Sequence, residues 1–331
     1  MDTPCHVLTG FVLGHAVQPV DGDESRPGPL FTTLVSVLPD ADFFIRWFGM
    51  STYLTYHRAF LNSVFLLPPI ILLFALGYGW LRGRASTTAY VGVGLLVGGV
   101  HVFMDLLNTF GSPVFFPFSF NRYAFDLVFI VDIYIYALLL VPVAGRVVRG
   151  RWSAWLARCS FVLIGGYLLF SLVSKHRAMD ELQQFRQRQG IAESSVRRQG
   201  VTPQPLYPVH WSLIVQHDGG SHQLFINTLT GRRYAADTRF PRDRAAFDLL
   251  ERGTRYDRDA RVFEWFARYP VVLERSERDI VYGDLQFHVK VPEAVRNAIV
   301  GEDGSRTLPF RFRCVLGGEG RPSFEWVRAE E

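Results

Sequence analysis

Asp40 and Asp42 in the run Leu38-Pro-Asp-Ala-Asp42, His57 at the head of an apolar stretch, and His101 with Asp105 inside another are residues of reactive type in unreactive surroundings. Ionisable groups at membrane depth are costly, so they mark a functional site by default. His101 and Asp105 stand four apart, which on a helix puts them on one face about 6 Å apart along the axis. Such a pair suits two metal ligands or a histidine oriented by its carboxylate; the alternative is a buried His–Asp hydrogen bond tying two helices together. The aspartates of the Leu38–Asp42 run lie one residue apart in a turn-like segment and point roughly the same way, as ligands or as solvated loop carboxylates. His6 opens the first apolar run, and Asp132 lies within Phe129-Ile-Val-Asp-Ile133 at a depth like that of His101. Three imidazoles and several carboxylates suit zinc, manganese or iron, with room for one ion or two. The chemistry expected is hydrolysis: a divalent metal, zinc or manganese first, activates water, and Asp42 or Asp105 serves as general base.

Helices must bring these residues together. The 331-residue chain is 49% hydrophobic, with the apolar residues in the first half and the charges in the second. Long apolar runs at 59–80, 86–107, 126–145 and 155–174 predict membrane-crossing helices. Shorter runs at 4–18 and 29–38 predict a helical hairpin across the Gly/Pro-rich link 19–29, returning the Leu38–Asp42 aspartates to the side of His6. The expected fold is an α-helical polytopic membrane domain of about six helices, the first two short, followed by a smaller α+β domain. By alternation, Arg26, Arg82, Arg84, Arg146, Arg149 and Arg151 fall on one side, and only Arg46, Arg58 and Arg122 on the side of the histidines and aspartates. The positive-inside rule then puts the site and the C-terminal domain on the outer face of a prokaryotic inner (plasma) membrane, with multi-pass topology.

The expected boundaries are 1–174 for the membrane domain, 175–200 for a helical linker and 201–331 for an extramembrane α+β domain. In the last, strands are expected at 211–216, 224–229, 280–282 and 285–291, and helices at 242–251 and 259–269. His217-Asp-Gly-Gly-Ser-His222 reads as a hairpin turn more readily than as a metal site. Cys5, Cys159 and Cys314 are too few and too scattered for a disulfide framework or a cysteine zinc site. A net charge of +4 and a pI near 9.0 come from dispersed arginines. Without a basic stripe or an aromatic platform, nucleic-acid binding is not expected. HExxH, G-x-S-x-G and Walker motifs are absent. Lipid phosphatases that share His-x-x-x-Asp need an arginine where Leu95 stands, and His15 sits far from the other histidines.

Cys5-His6, the Leu38–Asp42 run, His57-Arg58, His101-x-x-x-Asp105-Leu-Leu and the stretch Gly111–Asp132, in this order, resemble the YdjM-like family of membrane-bound metal-dependent hydrolases. The likeness covers about the first 145 residues; Pro208-x-x-Trp211 and Tyr282–Phe287 resemble the tails of longer members. It implies ligand or catalytic roles for His6, Asp40, Asp42, His57, His101, Asp105 and Asp132. One departure is Asn62, where the family carries a second histidine after the His-Arg pair; asparagine is a poorer zinc ligand than imidazole. The leading expectation is hydrolysis of a lipid or membrane-associated ester or phosphoester. The alternative is a metal-stabilised, non-catalytic membrane scaffold or binding protein that engages a protein partner through its C-terminal domain. An ion or proton relay ranks last, because 59–80 and 139–144 are nearly bare of polar residues.

Overall fold

A computed structural model describes residues 1–17, 27–83, 87–149, 153–290, 310–316 and 321–327. The connections carrying Arg26, Arg84 and Arg151, and Val291 at the end of one expected strand, lie outside the described residues. The chain divides into two compact units, residues 1–48 with 56–170, and residues 49–55 with 171–331.

The first unit is helical. Helices α1 (Thr3–Val17) and α2 (Pro29–Val37) are followed by a 3₁₀ segment, Leu38–Phe48, and then, beyond α3 (Met50–Tyr56) of the second unit, by α4 (Leu67–Leu81), α5 (Thr87–Leu107), α6 (Ile133–Arg149) and the first half of α7 (Ala154–Arg188). Among the described residues, α5 and α7 are long and apolar enough to cross a membrane, and α4 is a shorter apolar helix. The long runs at 59–80 and 126–145 form shorter helices than their hydropathy predicts. In the first, the chain stays in turns until Pro68 and Pro69, which suit the first turn of a helix. In the second, Asp132 takes the N-cap position of α6: its Oδ1 accepts from the amides of Tyr134 and Ile135, both at 3.0 Å. A helix started by that cap begins at Ile133 rather than at Asp126.

Lipid-like surroundings offer helices no hydrophobic drive to associate, so contact depends on small residues that let backbones approach. Gly10 and Gly14 provide this in α1: a Cβ at Gly10 would stand 2.5 Å from Ser36 Cβ, and one at Gly14 2.5 Å from Pro29 Cα, both on α2. Gly94 and Gly98 of α5 likewise receive Ile71 of α4. Two glycine pairs, each spaced by four, thus hold α1 on α2 and α5 on α4. Leu73, Leu95, Leu96, Val162, Leu163 and Leu169 point outward and remain exposed, as side chains facing lipid do.

The second unit contains two antiparallel four-stranded meanders. Strands β1 (Val196–Pro203), β2 (His210–His217), β3 (Gly220–Asn227) and β4 (Arg233–Pro241) form one in that order; β5 (Pro270–Arg275), β6 (Asp279–Asp284), β7 (Phe312–Val315) and β8 (Ser323–Trp326) form the other. The expected turn at 217–222 is a hairpin whose two loop residues are Asp218 and Gly219. Helices α8 (Arg244–Thr254) and α9 (Arg258–Phe266) start at Asp243 and Asp257, whose carboxylates accept from the amides of Ala246 and Ala260. No strand forms at 285–291 in its described part: buried Asp284 accepts from the amides of Arg268, Tyr269 and Gln286 and turns the chain into a 3₁₀ step. Residues 175–188 continue α7 without a break. Trp211 Nε1 donates to Ser174 Oγ at 2.8 Å, so this part of the helix is tied to β2.

His288 is buried with its Nδ1 2.5 Å from Gln223 Oε1, an acceptor, so Nδ1 carries the proton. Burial pushes its pKa from 6.5 down to about 4. The unfolded chain therefore takes up this proton at a higher pH than the folded one, and the stability involved is present above 6.5 and lost as pH falls towards 4. We expect urea unfolding of the β-rich unit within the full chain to weaken by roughly 3 kcal/mol between about pH 7 and about pH 4 on this account. His288→Gln, which does not titrate, should flatten the decline. At the other end of the fold, Gly10→Val should force α1 from α2 at a cost on the order of 1–3 kcal/mol, read as a lower apparent Tm of the detergent-solubilised protein.

Candidate metal centre

Asp105 sits in the last turn of α5, fully buried, and five nitrogen atoms converge on its carboxylate. Oδ1 lies 2.6 Å from the Met1 amino nitrogen, 3.0 Å from Arg58 Nη2 and 3.2 Å from His6 Nε2. Oδ2 accepts from Asn62 Nδ2 at 2.6 Å and stands 3.3 Å from His101 Nε2. The rings of His6 and His101 stack with centroids 3.7 Å apart. Asp40 completes the group: Oδ2 accepts from Thr3 Oγ1 at 2.7 Å, and Oδ1 is 3.8 Å from His101 Nε2. His6, Asp40, His101 and Asp105 each offer a ligand atom within 4.8 Å of the others, and all four residues are buried.

Ser36 of α2 decides the chemistry of His101. Its carbonyl lies 2.6 Å from His101 Nδ1 and can only accept, so Nδ1 carries the hydrogen and Nε2 presents a bare lone pair. That lone pair faces Asp105 and Asp40, both acceptors, and makes no hydrogen bond. Three acceptors around one point need a proton or a metal cation among them. A tetrahedral zinc site, with ligands about 2.0–2.1 Å from the ion, holds its ligand atoms about 3.4 Å apart. His6 Nε2 and His101 Nε2 stand 3.2 and 3.3 Å from different oxygens of Asp105, Asp40 Oδ1 stands 3.8 Å from His101 Nε2, and the four ligand atoms lie within 4.8 Å of one another, so an ion would draw the group together. Two nitrogen and two oxygen donors, an orphaned lone pair and carboxylates to balance charge fit a divalent ion.

Asp42 and His57 form a second pair beside this group. Asp42 Oδ1 is 2.7 Å from His57 Nδ1, and Oδ2 accepts from the backbone nitrogen of Arg58 at 2.8 Å. The latter bond holds Arg58 at φ 63°, a backbone conformation that a side-chain-bearing residue rarely adopts. Asp132 is placed elsewhere, with Oδ2 accepting from Tyr167 of α7 at 2.6 Å and Oδ1 at its helix cap. The sequence pattern therefore names the four grouped residues and the neighbouring pair, but not Arg58, Ser36 or Thr3. Arg58 carries a signal in standing next to His57; the carbonyl of Ser36 carries none, because any residue there would supply one.

Irregular chain closes the site from the side of residues 108–132. Phe125 and Leu127 donate backbone N–H groups to the Leu106 and Leu107 carbonyls, capping the end of α5 that holds Asp105. Ser112 and Tyr123 exchange two backbone hydrogen bonds at 3.0 Å, and the Arg122 guanidinium donates to the carbonyls of Phe110 and Gly111.

A buried His/Asp cluster seated on α1, the 3₁₀ segment and α5, the last an apolar helix of lipid-crossing length, defines a class of membrane protein with a metal-competent centre. The chain belongs to the YdjM inner membrane protein family, which it matches over residues 1–178, a stretch containing every residue of the centre. It is similar to the uncharacterized protein YfhP of Bacillus subtilis (strain 168), with 27% identity over 183 residues, 51% of this chain and 53% of that protein. The chain thus spans about half the length of the curated relative it matches. No solved structure matches it.

Asn62 stands where its amide, not a lone pair, meets Asp105. Asn62→Asp would set two buried carboxylates within hydrogen-bond distance, which should cost about 3 kcal/mol or more without a cation. We expect its apparent Tm to fall below wild type after chelation and to recover on adding Mn²⁺; equal melting in the two conditions would count against an ion at this point.

Proposed function

We propose that this protein is a multi-pass inner-membrane hydrolase in which His6, Asp40, His101 and Asp105 hold a divalent ion, zinc or manganese, near the outer face. The observation that carries the reading is the bare His101 Nε2 turned toward two buried carboxylates. An ion bound there supplies Lewis acidity, lowering the pKa of a water and offsetting charge on a substrate oxygen. Asp42 acts through His57: its carboxylate orients the imidazole, which takes the proton as water adds to the ester's phosphorus or carbonyl carbon. The ester oxygen then leaves with its electron pair and collects a proton, giving an alcohol and an acid. Both Asp132 oxygens are engaged at the cap and by Tyr167, so we leave it out of the ligand set.

The 3₁₀ segment supports a membrane-associated substrate. Asp40 and Asp42 turn inward from it, whereas Phe43, Phe44, Trp47 and Phe48 are exposed, Trp47 to 80%. Aromatic rings favour the membrane–water boundary, so this face suits lipid headgroup level. At the opposite ends of the helices, Trp80 with Arg82 and α6 with Arg146 and Arg149 suit the cytoplasmic boundary.

Asn62 favours a second reading, a metal-stabilised scaffold, since its amide occupies Asp105 Oδ2 by donating to it. Elemental analysis of the detergent-purified protein beside the His101→Ala/Asp105→Ala variant tests the shared premise: we expect near-stoichiometric zinc or manganese that disappears in the variant. Phosphoester or ester hydrolysis by the loaded protein then separates enzyme from scaffold. No bound metal, even after reloading, would defeat both and turn attention to a protein partner of the second unit.

A further inference from the structure

The apolar stretch of α7 ends at Ser174: Leu172 and Val173 are exposed, as side chains facing lipid are, and Lys175, His176 and Arg177 follow. Ser174 Oγ lies 2.7 Å from Thr228 Oγ1, just past β3, and accepts from Trp211 at the start of β2. About 18 Å further along the helix, at 1.5 Å per residue, the Phe185 ring centre stands 5.7 Å from that of His222, and Arg186 Nη1 donates to Gln199 Oε1 at 3.1 Å. Strands β1, β2 and β3 therefore run along α7. The links 204–209 and 228–232 lie at the end by Ser174, and the 218–219 turn and Glu193–Ser195 lie at the far end. Of the two links at the near end, 228–232 is firmly built: Asn227 Oδ1 accepts from the amides of Leu229 and Thr230 at 2.9 and 3.2 Å, and its carbonyl accepts from that of Gly231 at 2.8 Å. The turn so fixed holds Leu229 outward, 61% exposed, and Tyr207 of the other link is exposed too. Neither 204–209 nor 228–234 contains an aspartate or glutamate, whereas Arg232 and Arg233 are both exposed. Arg233 pairs with Asp237; Arg232 has no ion pair among the described residues.

We propose that this end of the β1–β4 sheet is a lipid-docking surface: Leu229 and Tyr207 enter the headgroup layer of the bilayer that α7 crosses, and Arg232 binds the phosphate of an anionic phospholipid there. This rests on the multi-pass membrane reading above. Continuity with the helix selects the occupant. Thr228 touches Ser174, where the lipid-facing residues of α7 give way to basic ones, so the neighbouring Leu229 lies at the level at which the helix leaves the bilayer. A leaflet stands beside that turn in any case, whereas a protein partner would have to be brought to it. The chemistry matches as well: tyrosine favours the membrane–water boundary, a projecting apolar side chain gains by leaving water there, and arginines free of nearby carboxylates are drawn to an anionic headgroup surface. The β-rich unit is then held against the leaflet through two loops besides being joined to it by a helix.

The test uses the full chain carrying Cys159→Ser, with Cys5 and Cys314 left buried, reconstituted in nanodiscs of phosphatidylcholine with phosphatidylglycerol. A single added cysteine, Leu229→Cys or Glu193→Cys, carries an environment-sensitive fluorophore, and a phospholipid spin-labelled at its headgroup serves as quencher. The probe at 229 should emit at shorter wavelength than the one at 193 and lose fluorescence to the spin-labelled lipid, while the probe at 193 should not be quenched. Adding Arg232→Glu should lower the quenching at 229. Should Leu229→Cys fold poorly, Thr230→Cys on the same exposed turn reports the same place. Equal quenching at the two ends of the sheet, none at either, or a shift at 229 that the lipid does not quench, as a second copy or another protein would produce, overturns the proposal; quenching that ignores Arg232→Glu overturns the phosphate contact. A probe at the outward Val162→Cys, quenched by lipid spin-labelled at mid-chain, shows α7 embedded in the bilayer. Failure of that signal instead defeats the membrane reading, and this inference with it.

Discussion

A buried carboxylate that must be satisfied from every side is the constraint around which the first unit is arranged. Asp105 accepts and cannot donate, and it is fully buried, so neighbouring segments bring nitrogens to it: the Met1 amino group, α1 through His6, and the turn after α3 through Arg58 and Asn62, while His101 of its own helix faces it with a lone pair. Losing one donor leaves a charge short of a partner in a low-dielectric interior. The close-packed glycine seams that bring α1 to α2 and α4 to α5 serve this convergence, since small shifts between helices would separate donors from acceptor.

The two histidines differ in what their surroundings permit. His101 has its tautomer imposed by a backbone carbonyl, the usual device by which a protein directs an imidazole lone pair toward a cation. His6 has no partner at Nδ1 and is placed by stacking on His101 and by Ser36 Oγ donating to its own carbonyl. Ser36 therefore touches both, holding one ring by its carbonyl and the other residue's backbone by its hydroxyl. A short helix that hydropathy alone would treat as half a membrane span is thus the positioning element of the centre.

Much of this was legible in the residues, and the failures have physical causes. His6, Asp40, His101 and Asp105 stood out because charge inside apolar sequence is rare, and the hairpin of α1 and α2 followed from two short runs and a polar link. Helix lengths were overread at 59–80 and 126–145, where hydropathy continues through turns stopped by Pro68, Pro69 and the cap at Asp132. In the second unit, β2, β3 and β6 showed their burial in β-branched and aromatic runs. Strand β1, whose Arg197, Arg198 and Gln199 face solvent, did not, and the 285–291 run concealed a buried aspartate that bends it. Arg58 enters the sequence reading as the neighbour of His57 and as one of three arginines on that side; that it is buried with unmatched nitrogens is visible only in the structure.

The glycine seams have a consequence for handling the molecule. Contacts made between backbone and methyl-sized groups depend on shape and not on the surrounding solvent, so replacing lipid with a micelle alters only the outward leucines and valines. The spacing of α1, α2, α4 and α5 is internal to the protein, and the geometry of the centre travels with it out of the membrane.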